Sequence, residues 1–371
     1  MTRNASVERV TRFTSSARVW AFAMIVLVAA ASTVGAQATI KVGDDVSIRF
    51  GVLLQGWADW TEDVVAESYS QNLYLRRARL LVGGQVAPNI TFFIETDNPN
   101  LGRAPKALGS GFILQDALAE IKFADPLTIS AGLMFVPFCR NCIQSAATLL
   151  SLDYSSFAFL ATPATQSSVG RDIGFQAKGY FNGNRIEYRV GAFQGFRAPG
   201  ARNPLRGVGR LQINLLDPET PGIFYTGTYL GTKRVLAIGG GVDMQAGPGD
   251  NYQAFAIDAF LDYPLTDSVS VTAQADYLMY DGGQTFAIGE QNDLFVEAGL
   301  YFKPLRLLPF VRYESQDFDL ATATDNTRYQ AGFTYFMRGH NANLKVAYTR
   351  LDPDAGDAGN QFTAQLQVFY Y

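Results

Sequence analysis

The chain has 371 residues, 48% of them hydrophobic and 17% charged, with a formal net charge of −4. It holds 35 Gly, 27 Phe and 18 Tyr but only one His and two Cys, which excludes a zinc site built from several His and a scaffold stapled by several disulfides. An acidic balance with no basic cluster excludes a nucleic-acid binder.

Arg3, Arg9, Arg12 and Arg18 open the chain, and an apolar run from Val19 to Ala31 follows them. Small residues at Val34, Ala36 and Ala38 then offer two cleavage sites, so residues 1–38 read as a Sec signal peptide cut after Ala36 or Ala38. The 13-residue run is shorter than the ~20 residues a membrane helix needs. Removing 1–38 leaves 26 basic and 33 acidic residues, a net charge of −7. No later apolar run has the length of a membrane helix, and residues 39–371 read as one domain.

From Val46 onward one pattern repeats. Val46, Ile48, Phe50, Val52 and Leu54 alternate with Ser47, Arg49, Gly51, Leu53 and Gln55. Val269, Val271, Ala273, Ala275 and Tyr277 alternate with Ser270, Thr272, Gln274 and Asp276. A period of two places one apolar and one polar face on a strand. Sixteen such segments are predicted: 46–60, 72–86, 89–97, 112–124, 127–136, 170–181, 185–196, 205–216, 234–245, 252–263, 268–280, 292–303, 308–316, 327–337, 343–351 and 361–371. Most connections alternate between short turns such as Ala87–Pro88 and long loops such as 98–111 and 137–169. That alternation describes an antiparallel up-and-down meander. The segment 217–233 is long where a short turn is due, and a further strand pair has room there.

A soluble sandwich would turn its apolar faces onto a second sheet. A transmembrane barrel turns them to lipid and encloses a wet lumen. The polar faces here hold mid-strand charges (Arg189 beside Glu187, Arg206 with Arg210, Arg312 beside Glu314), which a dry core would not keep without strict pairing. The apolar faces end in Trp60, Phe181, Tyr263, Phe302 and Tyr335, as interfacial girdles require. The fold expected is therefore all-β: a 16-stranded antiparallel transmembrane up-and-down β-barrel in a Gram-negative outer membrane, facing lipid and lipopolysaccharide. A midplane Arg on the lipid face costs about 2–4 kcal/mol. One exposed Arg near a strand end is cheaper than two nearer the middle, so Arg77 and Arg79 are placed in the lumen and Arg76 is left to snorkel.

Loop 137–169 is 33 residues long and apolar for a loop, with Phe138, Ile143, Leu149, Leu150, Leu152, Phe157, Phe159 and Leu160, so it is expected to fold inward and pack on the barrel wall as a constriction. Arg140 either faces the pore from that loop or pairs with a wall carboxylate. Cys139 and Cys142 read as a local disulfide rather than a redox or metal motif, since no βαβ setting surrounds them. His340 falls in a short turn, away from the long-loop rim where a catalytic base would be wanted, and no catalytic residue, cofactor or metal is expected. Gly239-Gly240-Gly241 lacks the strand-turn-helix setting of a phosphate loop and reads as a kink in a wall strand.

Leu73-Tyr74-Leu75-Arg76-Arg77-Ala78-Arg79 with Gly83-Gly84, and Phe92-Phe93-Ile94-Glu95-Thr96-Asp97 after it, resemble early strands of the phosphate-selective porin O and P family. Gly132-Leu133-Met134-Phe135-Val136-Pro137-Phe138 resembles the strand that leads into that family's constriction loop. Tyr335 to Asn341 with Gly339-His340-Asn341, then Leu344-Lys345 and Tyr348-Thr349, and the closing Gln365 to Tyr370, are similar to its last strands. The resemblance implies a homotrimeric outer-membrane porin with an inward-folded third long loop and a ladder of lumen arginines. Here Val208 stands between Arg206 and Arg210, Asp153-Tyr154 replaces an acid-Arg pair, and there are seven Lys in all. The function expected is passive diffusion of small polar or anionic solutes, with Arg49, Arg77, Arg79, Lys122, Arg140, Arg189, Arg206, Arg210 and Arg312 as candidate pore-lining anion contacts. The other expectation kept open is a non-conducting outer-membrane binding or adhesion barrel.

Overall fold

The computed structural model describes residues 39–371 except Val65, Ala107, Ser110, 159–168, 199–201, Pro248 and Thr285. The expected signal peptide lies outside the described residues, as do Phe159 and Leu160. A short strand β1 (Thr39–Lys41) pairs with β2 (Ser47–Asp63). From β2 the wall runs β3 (Ser68–Ala87), β4 (Ile90–Asp97), β5 (Ile113–Ala124), β6 (Leu127–Phe135), β7 (Arg171–Phe181), β8 (Ile186–Phe193) and β9 (Arg206–Asn214). It continues through β10 (Val235–Gln245), β11 (Tyr252–Pro264), β12 (Val269–Asp281), β13 (Gln291–Phe302), β14 (Leu307–Phe318), β15 (Asn326–Arg338), β16 (Ala342–Pro353) and β17 (Gly359–Tyr370). Each strand pairs antiparallel with its chain neighbours, and β17 pairs with β2, so sixteen strands close into a barrel. Every predicted segment is one of these strands.

The faces point as lipid demands. Along β11, Ile257 is 60% exposed on the outside while Asp258 is 3% exposed on the inside. Outward Phe175, Val190, Leu211 and Val311 contrast with buried Gln176, Arg189, Arg210 and Arg312 next to them in sequence. A stacked pair of sheets would bury the first set and expose the second. Closure also leaves no unpaired strand edge in hydrocarbon, where each orphaned amide would cost several kcal/mol, on the order of a lost hydrogen bond in oil.

Two observations correct the sequence reading. The segment 217–233 contains no strand pair. It turns inward, and Tyr225 forms an isolated parallel bridge with Gln144 of the constriction loop. Arg76 does not snorkel to lipid. Gln55 pairs with Arg77 and Gly56 with Leu75, so Arg76 is the extra residue of a β-bulge, and the bulge lets adjacent arginines both turn inward.

The apolar core sits inside the barrel, under the loop. Leu150 and Leu152 pack with Leu308, Phe310, Phe336 and Ala347 of the wall. Phe138, Ile143, Ala146 and Leu149 pack with Leu53, Leu118, Phe135, Tyr252 and Leu278.

Candidate pore constriction

The constriction loop leaves β6 at Val136 and enters the lumen through Cys139 and Cys142, which are joined as a disulfide around a single 3-10 turn, Asn141–Ile143. Its backbone is held by wall charges of both signs. The N–H of Arg140 donates to Asp258 at 3.2 Å, that of Asn141 to Asp276 at 3.1 Å and that of Ser156 to Glu314 at 2.6 Å. On the carbonyl side, Lys345 Nζ donates to Leu149 O at 2.6 Å, and Arg312 donates to Asp153 O and Tyr154 O at 2.7 Å each. Each loop group thus meets an ionisable partner, whose charged form makes the stronger kind of hydrogen bond.

The tip of this arrangement is Asp153. Its carboxylate accepts from Arg76 Nε at 2.7 Å and from Arg77 Nη2 at 2.5 Å. Burial alone would raise the Asp153 carboxyl, but the two guanidiniums outweigh it and hold the group well below the usual carboxylate range. The guanidinium of Arg77 lies 5.4 Å from the ring centre of Tyr154, whose hydroxyl donates to Gln144 O at 2.6 Å. On the long-loop side of Tyr154 lies a cavity of about 300 Å³ lined by Arg76, Arg77, Arg103, Arg328, Asp59 and Asp153. On the short-turn side lies a second cavity of about 590 Å³, lined among others by Arg49, Arg79, Arg171, Phe93, Phe224 and Tyr371. Tyr154 lines both.

Cations along this line rest on aromatic faces. Arg103 lies 5.5 Å from the ring centre of Tyr74, Arg76 lies 5.8 Å from Trp57, Arg171 lies 3.4 Å from Phe135 and Arg49 lies 4.5 Å from Tyr371. A ring face holds a guanidinium in place without cancelling its charge.

The sequence-predicted residues form two groups, with Lys122 and Arg140 outside both. Arg77, Arg79 and Arg49 line the two cavities. Arg79 is shared between Glu95 at 2.6 Å and Asp97 at 2.9 Å. Arg206 is paired with Asp243, Arg210 with Asp258 at 2.5 Å, Arg189 with Glu187 at 2.7 Å and Arg312 with Glu314 at 2.8 Å. These four are buried against their own carboxylates, the first three on β8 and β9 and Arg312 on β14. Lys122 stands at the short-turn rim with Asp125, 2.7 Å away. Arg140 neither faces the pore nor meets a wall carboxylate in an ion pair. It is fully buried and forms a bidentate pair with Glu219 of segment 217–233, at 2.8 Å for each contact.

Sequence reasoning passed over Arg103, Arg328 and Glu219 and placed Arg76 on the lipid face. The adjacency Arg76-Arg77 was a usable signal, since strict alternation cannot put both on one face and only a bulge reconciles them.

The short-turn side adds an anchor for segment 217–233. His340 Nε2 donates to Thr228 O at 2.9 Å, and Asp262 accepts from the N–H of Tyr229 at 2.8 Å and from the hydroxyl of Thr228 at 3.1 Å. Burial pushes the His340 imidazole down to about 4, against a partial upward pull from that carbonyl.

A family model described as "Phosphate-selective porin O and P" matches residues 52–212. A search of curated proteins returns no match. Among solved structures, OmpF of Salmonella typhi in complex with daunomycin superposes with a TM-score of 0.63 at 14% identity, covering 90% of this chain and 100% of that one. An anion-selective porin from Comamonas acidovorans gives 0.60 at 11% identity, covering 88% and 100%. The trimer form of OmpT, an outer membrane protein of Vibrio cholerae, gives 0.54 at 12% identity, again covering 88% and 100%. Identities this low speak for the fold alone. The chain is thus a sixteen-stranded β-barrel of the porin type whose residues 52–212 match the phosphate-selective porin O and P family.

Proposed function

We propose that the protein is an outer-membrane porin for small hydrophilic solutes, with a mild preference for anions set in the outer cavity rather than by a ladder down the whole lumen. The observation that supports this is the imbalance around that cavity, where Arg76, Arg77, Arg103 and Arg328 face Asp59 and Asp153. Among the other lumen cations, Arg79, Arg189, Arg206, Arg210 and Arg312 are matched to their own carboxylates. A charged constriction in a low-dielectric tube selects by sign, and weak multiple contacts let the ion leave. Homotrimeric assembly is part of the proposal, by analogy with the trimeric barrel of similar fold.

The test is reversal potential in planar bilayers under KCl gradients. Arg76→Gln with Arg77→Gln should lower the anion/cation permeability ratio severalfold, whereas Arg210→Gln should leave it within experimental scatter. An unchanged ratio in the double variant removes the outer cavity from the selectivity mechanism. A second reading, a non-conducting binding barrel, is favoured by the meeting of the loop with segment 217–233 at Gln144 and Tyr225. Near-zero conductance from correctly folded protein would select it.

A further inference from the structure

The inner cavity is built differently from the outer one. At Leu53, Leu81 and Phe93 the inward face carries apolar side chains where neighbouring positions carry Gln55, Arg79 and Glu95. Phe224, brought in by segment 217–233, meets Phe93 at 5.6 Å and Phe135 at 5.4 Å between ring centres, both edge to face. Tyr371 meets Phe93 at 5.6 Å in the same manner. Phe93 and Phe135 are buried, whereas Phe224 and Tyr371 are only partly covered and keep surface turned to the cavity. Its volume, about 590 Å³, lies within the ~300–1,000 Å³ of small-molecule sites.

We infer that this cavity is a subsite for small aryl carboxylates. The solute's ring lies against Phe224 and Tyr371, where edge-to-face packing on aromatic neighbours rewards a flat apolar body. Its carboxylate meets Arg49, whose guanidinium lies 4.5 Å from the Tyr371 ring centre and lines the same cavity. A bare inorganic anion would use Arg49 but leave the rings wet. A neutral arene would use the rings but not the cation. The inference rests on the porin reading for how the solute arrives, not for whether it binds.

The experiment is isothermal titration of the detergent-folded protein with sodium benzoate and, separately, sodium acetate at equal ionic strength. Benzoate should bind at least tenfold more tightly than acetate. Phe224→Leu, which keeps an apolar side chain and removes the ring, should weaken benzoate at least threefold, and Arg49→Gln at least fivefold. Equal affinity for the two anions, or no binding of benzoate, overturns the subsite. Conductance in KCl separates the two claims. A conducting barrel that ignores benzoate loses the subsite alone, and a barrel that binds benzoate without conducting keeps the subsite and loses the pore.

Discussion

Asp153 is the residue on which the outer cavity turns. It neutralises part of the charge of Arg76 and Arg77 and at the same time fixes the loop to the wall. Asp153→Asn removes one negative charge from beside two guanidiniums. A unit charge about 6 Å away in a water-like medium is worth ~0.7 kcal/mol, and its removal favours an anion and disfavours a cation by that much each, so the anion/cation permeability ratio should rise by about tenfold, read from reversal potentials. The same change should speed proteolysis of the loop, because Arg76 and Arg77 lose their ionic partner there. A ratio that falls or stays level would mean that permeating ions do not pass this carboxylate. Arg76 also marks the limit of the sequence at this scale. Alternation assigned Arg77 and Arg79 to the lumen, where both lie, but it sent Arg76 to lipid because strict alternation has no place for the extra residue of a bulge, whose one trace in the sequence is the adjacency of the two arginines.

At the scale of elements, the sixteen strands were legible because each repeats an apolar-polar alternation over about ten residues and the outward face must be apolar throughout. The long, apolar loop 137–169 was legible as an inward element for the same reason, since its leucines needed a dry partner. Segment 217–233 was not. Its length was visible, but its partners (Arg140, Gln144, Asp262 and His340) are scattered over the chain, and only the folded barrel gathers them. One of these partners makes a pH prediction. The His340 imidazole is held neutral, down to about 4 in the folded protein against an ordinary value near 6.5. The unfolded or detached form takes up its proton first as pH falls, so the anchoring of 226–232 is at full strength above about pH 6.5 and declines toward pH 4. Hydrogen exchange at 226–232, corrected for its intrinsic pH dependence, should therefore show less protection at pH 4.5 than at pH 7. In His340→Gln that difference should shrink. Identical protection at both pH values would show that the imidazole does not anchor the segment.

On the scale of the whole molecule, charges of both signs are interleaved around the wall. Arg76, Arg77, Arg79 and Arg171 lie on β3 and β7 with Glu95, Asp97 and Asp116 on the strands between them, while Asp258, Asp276, Asp293 and Glu297 lie on β11 to β13. The loop's N–H groups turn toward Asp258 and Asp276, and its carbonyls turn toward Arg312 on β14 and Lys345 on β16. Because these contacts are ionic and shielded inside the barrel, raising salt should leave the loop docked while flattening the selectivity of the open cavities. Permeability ratios measured at 0.1 M and 1 M KCl should converge toward the mobility ratio of the ions, with no change in trypsin sensitivity of the loop. Simultaneous loss of both would locate the loop's hold in solvent-exposed pairs.

The seam between β2 and β17, where Val52 meets Tyr370 and Thr61 meets Gln361, joins stretches separated by some three hundred positions of chain. The wall has no partial form that is safe in oil. A nascent product lacking the last strand would present two raw margins of unanswered amides to the bilayer. Insertion must therefore wait for β17, and a product cut short of that strand has no stable place in the membrane.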